Sequence, residues 1–282
     1  MKHFNFKRKI RDLDYKKLNE YKIDNKSINL ININYNQSFS FEKISSKSND
    51  YIKKSFFIAF KIIKKYNFKK FINGPIVKKT FLQKRYLGVT EYISNKFKIN
   101  KNAMLIYNKD LSVCPITTHL PLRSVSKKIT KKNIYEKIIL IDNFFKKKLN
   151  KKPKIAVLGL NPHCESVNKF NEDEKIIKPA TKSLYKKGFD VFGPYSADTF
   201  FIKKNRKKYD VVVGMYHDQV LTPIKTLFEY DAINITLGLP FIRISPDHGP
   251  NERMIGKNLS NPLSLIRAIN FLDKNWLKLR KV

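Results

Sequence analysis

Strand-like runs alternate with helical stretches through the second half of the chain, and this alternation limits the possible folds more than any other feature. The runs occupy residues 154–160 (KIAVLGL), 209–215 (YDVVVGM) and 232–237 (AINITL). Helical patterns separate them at residues 172–187 and 222–229. Largely apolar strands with helices between them are typical of parallel sheets that are covered on both faces. The sequence therefore predicts an α/β fold with a mainly parallel sheet.

The same periodicities indicate further elements. Apolar residues recur at three- and four-residue spacing in residues 55–66, with lysines opposite, which predicts an amphipathic helix. Another helix is expected at residues 131–149 with Thr130 as its N-cap, and a last one begins at Asn261-Pro262. The remaining strand-like segments are residues 71–75, 103–107 and 111–117. The first fifty residues hold no helix or strand period for long.

The composition indicates a globular protein with a strong basic bias. The chain has 282 residues, of which 42% are apolar, so it can bury a sizeable core. Lys and Arg number 58 against 23 Asp and Glu, which gives a formal net charge of +35. Such a charge favours nucleic acid when it is clustered. Here the lysines are dispersed and accompanied by much Asn, Ile, Phe and Tyr, a joint bias that an AT-rich coding sequence produces. A basic nucleic-acid-binding protein stays open as an alternative.

Other features narrow the cellular setting. No run approaches the roughly 18 uncharged apolar residues that a membrane-spanning helix requires. The first residues have no continuous apolar segment behind their charges, unlike a secretory signal. The two cysteines, Cys114 and Cys164, cannot frame a disulfide scaffold or a four-thiolate zinc site. We therefore expect a cytoplasmic protein with no membrane partner.

Histidines follow four of the strand-like runs, at His119, His163, His217 and His248. In parallel α/β sheets the carboxyl ends of the strands converge on one crevice, where ligands bind. Imidazoles that meet there can hold a divalent metal ion and leave a coordination position for substrate. A single histidine after a strand is more often a hydrogen-bonding residue, but three in the same topological position favour a metal site. Short polar residues that can orient the rings stand beside two of them, at Asn161 and at Asp218-Gln219.

Cationic residues near the same strand ends are candidates for anion binding. Lys225 lies eight residues after His217, and Arg243 follows the strand-like segment LGLPFIR. Asn234 lies between them in INITLG. Lys and Arg near a helix start or a strand end commonly bind phosphate or carboxylate groups. Among so many lysines, Lys225 is distinguished by its local sequence and not by its charge.

Five longer motifs accompany these residues. They are TTHLPL at 117–122, GLNPH at 159–163, GPYSADTFF at 193–201, MYHDQ at 215–219 and NITLGLPFIRISPDHG at 234–249. In this order they resemble the 4-hydroxythreonine-4-phosphate dehydrogenase family of vitamin B6 biosynthesis, and the resemblance runs from about Ile72 to the C-terminus. That family is similar to isocitrate dehydrogenase, which implies a three-layer α/β/α fold of two domains with a cleft between them. We place these domains at residues 1–86 with 242–282 and at residues 87–241.

The resemblance also implies a site and a reaction. The implied ligands of a divalent metal ion (zinc, cobalt, magnesium or manganese) are His119, His163 and His217. The implied substrate contacts are Thr90, Lys225, Asn234 and Arg243. The family forms homodimers with the active site at the subunit interface, so the three imidazoles would meet once a second subunit is in place. The implied reaction is oxidation of 4-phosphohydroxy-L-threonine by NAD or NADP, followed by loss of CO₂ to give 3-amino-2-oxopropyl phosphate.

The chain departs from the family pattern in three places. No Gly-rich segment precedes Ile72, and the first glycine is Gly74. Val89 stands where the family has a histidine in a GHTE-like motif, and valine can neither donate nor accept a hydrogen bond. Arg253 stands where the family has an acidic residue, which would favour the 2′-phosphate of NADP by analogy with dinucleotide sites. These departures keep open a divergent metal-binding relative with lost or altered dehydrogenase activity.

Overall fold

The structure is a computed structural model that describes residues 7–24, 26–39, 41–82, 85–167 and 170–279. The chain divides into two compact units, Met1–Lys69 and Lys70–Val282. The predicted division into residues 1–86 with 242–282 and residues 87–241 stays a prediction. In the described part of the chain, no helix is both long and apolar enough to cross a bilayer.

The first unit contains two short strands and a long helix. Strand β1 (Ile10–Asp12) pairs in parallel with strand β2 (Ile28–Leu30), so the first fifty residues hold regular structure that no sustained period predicted. Helix α1 (Asn49–Tyr66) confirms the predicted amphipathic helix but begins at Asn49 instead of Ser55. Its polar first turn lies outside the apolar period, which explains the late predicted start.

The second unit is built on an eight-stranded sheet. Its strands are β3 (Lys70–Ile72), β4 (Ala103–Tyr107), β5 (Ser112–Thr117), β6 (Ile155–Leu158), β7 (Val191–Tyr195), β8 (Val211–Tyr216), β9 (Ile233–Leu237) and β10 (Ile242–Pro246). Their order across the sheet is β3-β10-β9-β4-β5-β8-β6-β7. Four of the seven neighbouring pairs are parallel, and the antiparallel pairs join β10, β9, β4 and β5. The predicted α/β class with a mostly parallel sheet is confirmed.

Helices follow or precede most of these strands. They are α2 (Lys78–Phe81), α3 (Val89–Lys96), α4 (Lys131–Phe144), α5 (Lys178–Lys186), α6 (Ala197–Phe200), α7 (Lys203–Arg206), α8 (His217–Phe228) and α9 (Leu263–Leu279). A single wide helical turn extends α4 through Phe145–Leu149, and another, Asp173–Ile177, leads into α5. The predicted helices at residues 131–149 and 172–187 are therefore confirmed.

Alternate residues of the strands send apolar side chains to both faces of the sheet. On one face, Val211 and Val213 of β8 join a buried cluster with Ile134 and Ile138 of α4. On the other face, Val212 joins a second cluster with Val220 and Ile224 of α8. Helices thus cover both faces of β8, which explains why its consecutive residues 211–213 are all apolar.

Candidate active site

A cavity of about 290 Å³ lies over one face of the central strands of the second unit. Alternate residues of three neighbouring strands form its floor: Met104 and Ile106 of β4, Asn234 of β9, and Arg243 and Ser245 of β10. Helix α8 contributes Leu221 and Lys225 to the wall. Of the seven predicted site residues, six line this cavity: Thr90, His119, His217, Lys225, Asn234 and Arg243.

Polar side chains on the floor are paired across the strands. Arg243 lies opposite Thr236, and Ser245 lies opposite Asn234. Strands that are covered on both faces normally carry apolar residues at such positions. The Oδ1 atom of Asn234 is buried and has no hydrogen-bond partner among the described residues, although it borders the cavity. The paired polar residues therefore mark this floor as a ligand site, not as core.

The guanidinium of Arg243 is buried with neutral partners. Arg243 as a whole residue is only 2% exposed. Nε donates to Oδ1 of Asn73 at 2.7 Å, and Nη1 donates to Oγ1 of Thr236 at 3.0 Å and to Oγ1 of Thr90 at 3.5 Å. Burial lowers the pKa of Arg243 to about 10, and the charge of Glu91 opposes this shift. Because the group stays protonated at neutral pH, it favours an anion in the cavity.

Lys225, which also lines the cavity, is held by a buried carboxylate. Its Nζ lies 2.6 Å from Oδ2 of Asp247 and also donates to the backbone carbonyl of Asp247. The side chain of Asp247 is only 8% exposed. Burial raises the pKa of Asp247, while the adjacent Lys225 acts in the opposite direction. Lys225 is thus presented to the cavity in a fixed position.

Two of the predicted metal ligands are close together. Strands β5 and β8 are parallel neighbours with Thr117 opposite Tyr216, so His119 and His217 follow them at the same edge of the sheet. Their ring centroids are 5.7 Å apart. Two imidazoles that bind one zinc ion at about 2.0–2.1 Å have centroids roughly 5 Å apart, so this donor pair fits a divalent ion.

The orientation of His217 also suits a metal ligand. Its Nδ1 lies 2.6 Å from Oδ1 of Asp218, which leaves Nε2 with a lone pair when Nδ1 donates the hydrogen bond. The prediction that Asp218 orients a ring thus has a matching contact in the structure.

His163 lies elsewhere. It is exposed on the turn Pro162–Cys164 and does not line the cavity. Within the ranges that the structure describes, no three His, Cys, Asp or Glu side chains are grouped so that they could hold a metal ion. The three-histidine site therefore stays a prediction, and a single chain brings together only two of its members. His248 lines the cavity at its other end, beside Asp247.

The sequence reasoning did not single out some residues of this site. Asn73, Thr236, Ser245 and Asp247 hold or flank the two cations. A signal for two of them is present in the sequence, since INITL and IRISP place polar residues at alternate positions of otherwise apolar strands. Asn73 follows β3, and no signal in its own segment connects it with Arg243.

Two of the noted departures can be located. Val89 lines the cavity at the start of α3, where it offers an apolar surface. Arg253 is exposed on the turn Glu252–Met254 and does not line the cavity.

The fold and this site define an α/β protein with two cationic side chains and a pair of imidazoles around one cavity. Residues 2–272 match the family model described as Pyridoxal phosphate biosynthetic protein PdxA, and the chain belongs to this family. The resemblance found in the motifs is thus confirmed. Its expected start near Ile72 is wrong, because the family match begins at residue 2.

Individual relatives agree with this assignment. A 4-hydroxythreonine-4-phosphate dehydrogenase from a Sulfurihydrogenibium species is 46% identical over 203 residues, which are 70% of this chain and 62% of that protein. A D-threonate 4-phosphate dehydrogenase from Pectobacterium atrosepticum is 39% identical over 185 residues, or 65% of this chain and 57% of that protein. The chain thus spans about three fifths of the curated relatives that it matches.

A solved structure supports the fold over a longer range. The 4-hydroxythreonine-4-phosphate dehydrogenase of Klebsiella pneumoniae superposes with a TM-score of 0.76 at 29% sequence identity. The superposition covers 94% of this chain and 83% of that one.

Proposed function

We propose that the protein is a dehydrogenase that oxidises the secondary alcohol of 4-phosphohydroxy-L-threonine with NAD or NADP. Loss of CO₂ then gives 3-amino-2-oxopropyl phosphate, a step in pyridoxal 5′-phosphate biosynthesis. The observation that carries the proposal is one cavity that holds a buried guanidinium with neutral partners together with two imidazoles 5.7 Å apart. Membership of the family supports the choice of reaction.

The cations and amides of the cavity bind and orient the substrate. Arg243 and Lys225 hold its anionic groups, because both are charged and fixed by hydrogen bonds. The buried Oδ1 of Asn234 accepts a hydrogen bond from a substrate hydroxyl or amine. Val89, Met104 and Leu221 give the cavity an apolar surface that excludes water from the reacting carbon.

A divalent metal ion (zinc, cobalt, magnesium or manganese) would be held by His119 and His217. The chemistry that such an ion supplies when bound is a lowered alcohol pKa and stabilisation of developing negative charge on oxygen. Asp218 keeps the ring of His217 in place through Nδ1. We assign no residue to the dinucleotide, and Arg253, the candidate for the 2′-phosphate, lies on an exposed turn outside the cavity.

The third imidazole would come from a second copy of the chain. His163 is exposed and lies outside the cavity of its own chain. A homodimer in which each copy inserts His163 beside His119 and His217 of the other would complete the three-histidine set.

The proposal is tested by metal content and turnover of the purified protein. NAD- and NADP-linked oxidation of 4-phosphohydroxy-L-threonine is followed at 340 nm with added Zn²⁺, Co²⁺, Mg²⁺ or Mn²⁺. We expect turnover that His217→Ala reduces at least about 100-fold while the variant stays folded. Turnover of D-threonate 4-phosphate in its place would overturn the substrate assignment. Metal binding without any turnover would support the divergent relative with lost activity.

A further inference from the structure

The loop that carries His163 is held by a completely buried carboxylate. Asp173 is 0% exposed and lies in the helical turn that leads into α5. Its Oδ1 accepts the backbone N–H of Leu160 at 2.7 Å, and its Oδ2 accepts the backbone N–H of Asn161 at 3.1 Å. Oδ2 also accepts a hydrogen bond from Nδ2 of Asn161 at 2.8 Å. One side chain thus fixes two of the three residues that connect β6 to the histidine turn.

A second side chain fixes the same loop from the other direction. Nε2 of Gln219 in α8 donates to the backbone carbonyl of Gly159 at 2.7 Å. Its Oε1 accepts the backbone N–H of Met215 in β8 at 2.6 Å. Since Gln219 lies two residues after His217, it joins the segment of His217 to the loop of His163.

The loop is tight and its backbone is unusual. A Cβ atom at Gly159 would lie 2.7 Å from Oδ1 of Asp173 and 2.6 Å from Sγ of Cys164, so only glycine fits there. His163 and Cys164 have φ angles of 54° and 61°, in the left-handed region that disfavours residues with a side chain. Two such residues in succession are strained, so neighbouring contacts must hold them.

We propose that Asp173, assisted by Gln219, is a positioning residue that holds His163 in the orientation needed to bind metal. The inference rests on the proposed function, since it assumes that His163 is a ligand. Asp173 is buried beneath the loop and does not line the cavity, so it acts through Leu160 and Asn161 and not on substrate. Metal-binding histidines depend on such supporting contacts, and their loss weakens metal affinity about 10–100-fold.

Asp210 provides a matched control at the opposite end of the same strand. Its Oδ2 accepts the backbone N–H of Lys154, just before β6, at 2.9 Å. Asp210→Asn therefore weakens this contact at β6, together with the ion pair of Asp210 with Lys151, without touching the histidine loop. A merely structural role of Asp173 predicts that Asp173→Asn and Asp210→Asn behave alike.

The experiment measures Zn²⁺ binding to the full chain by calorimetry, with hydrogen exchange of the backbone amides as a second readout. We expect Asp173→Asn to weaken Zn²⁺ binding about 10–100-fold. The amides of Leu160 and Asn161 should exchange at least about tenfold faster. Asp210→Asn should bind Zn²⁺ as the unchanged protein does.

If Asp173→Asn fails to fold, Gln219→Met decides, since it removes the contacts of this half-buried side chain with Gly159 and Met215 and leaves Asp173 in place. Unchanged Zn²⁺ affinity in the folded variant, or equal loss in Asp210→Asn, overturns the positioning role alone. If the unchanged protein binds no Zn²⁺, or if His163→Ala does not weaken Zn²⁺ binding, the proposed metal site is wrong and this inference falls with it.

Discussion

Arg243 shows how one residue can be recognisable in the sequence while its properties depend on the fold. The motif LGLPFIR locates it, but only the sheet brings Asn73, Thr90 and Thr236 around its guanidinium. None of these partners carries a charge. The buried cation therefore gains its full stabilisation only when an anion enters the cavity.

Replacing Arg243 with a neutral residue should stabilise the empty protein and abolish anion binding. Burial lowers the pKa of Arg243 to about 10 in the fold, so folding disfavours the protonated form. This penalty is present in full below about pH 10 and is lifted as the pH rises above that value, towards the ordinary pKa of arginine. At pH 7, Arg243→Gln should raise the free energy of unfolding by about 1–3 kcal/mol.

Thermal unfolding with and without inorganic phosphate measures both effects. Phosphate should raise the melting temperature of the unchanged protein but not that of Arg243→Gln. Arg267→Gln is the control, because Arg267 is an exposed partner of Asp231 and should change stability by no more than about 1 kcal/mol. A destabilised Arg243→Gln variant that still responds to phosphate would contradict the assignment.

At the scale of elements, local signals in the sequence predict most helices and strands well. Thr130 lies before α4, and its hydroxyl accepts the backbone N–H of Asn133 at 3.1 Å, as its position as N-cap predicts. Helix α4 then places Ile134, Ile138 and Ile141 at full burial. The N-cap residue and the spacing of the apolar residues predict the same start, so the sequence alone is sufficient to place the beginning of α4.

Thr130→Ala should destabilise the protein without affecting its site. The Thr130 side chain is exposed, so the loss reflects the cap and not packing. We expect a decrease of about 1 kcal/mol in the free energy of unfolding, measured by urea denaturation. Thr130→Ser, which keeps the hydroxyl, should stay within a few tenths of a kcal/mol. Equal losses in both variants would show that the cap contributes nothing.

Other boundaries depend on contacts that local signals do not contain. Helix α8 begins at His217, whereas the sequence predicted residues 222–229. A start at Thr222 would put Pro223 in the first turn, where proline is well tolerated. In the structure Pro223 lies inside the helix, and Gln219 secures the first turn through Met215 and Gly159. Those contacts span strands, so only the assembled sheet sets this start.

At the scale of the whole molecule, the rule that ligands gather at strand ends explains why most of the candidate site could be predicted. It correctly placed His119 and His217 together, because β5 and β8 are parallel neighbours. Strand β6 also adjoins β8, so the same rule would place His163 with them. Four residues separate His163 from the end of β6, however, and Asp173 and Gln219 set the course of that loop. These contacts join segments that are distant in sequence, so the strand pattern alone cannot predict the course of the loop.

Complementation between two inactive variants tests whether His163 acts on a second copy. His119→Ala keeps His163, and His163→Ala keeps the imidazole pair, so a mixed dimer regains one intact site if His163 reaches across the interface. Random exchange at equal amounts makes half of the dimers mixed, which should restore about a quarter of the original turnover and Zn²⁺ content. A mixture of His119→Ala with His217→Ala serves as the control, because those two ligands share a cavity and no dimer of these variants holds a complete set. No restoration in the test mixture would place His163 in its own chain's site or outside any site. Restoration in the control would instead contradict a site that His119 and His217 share.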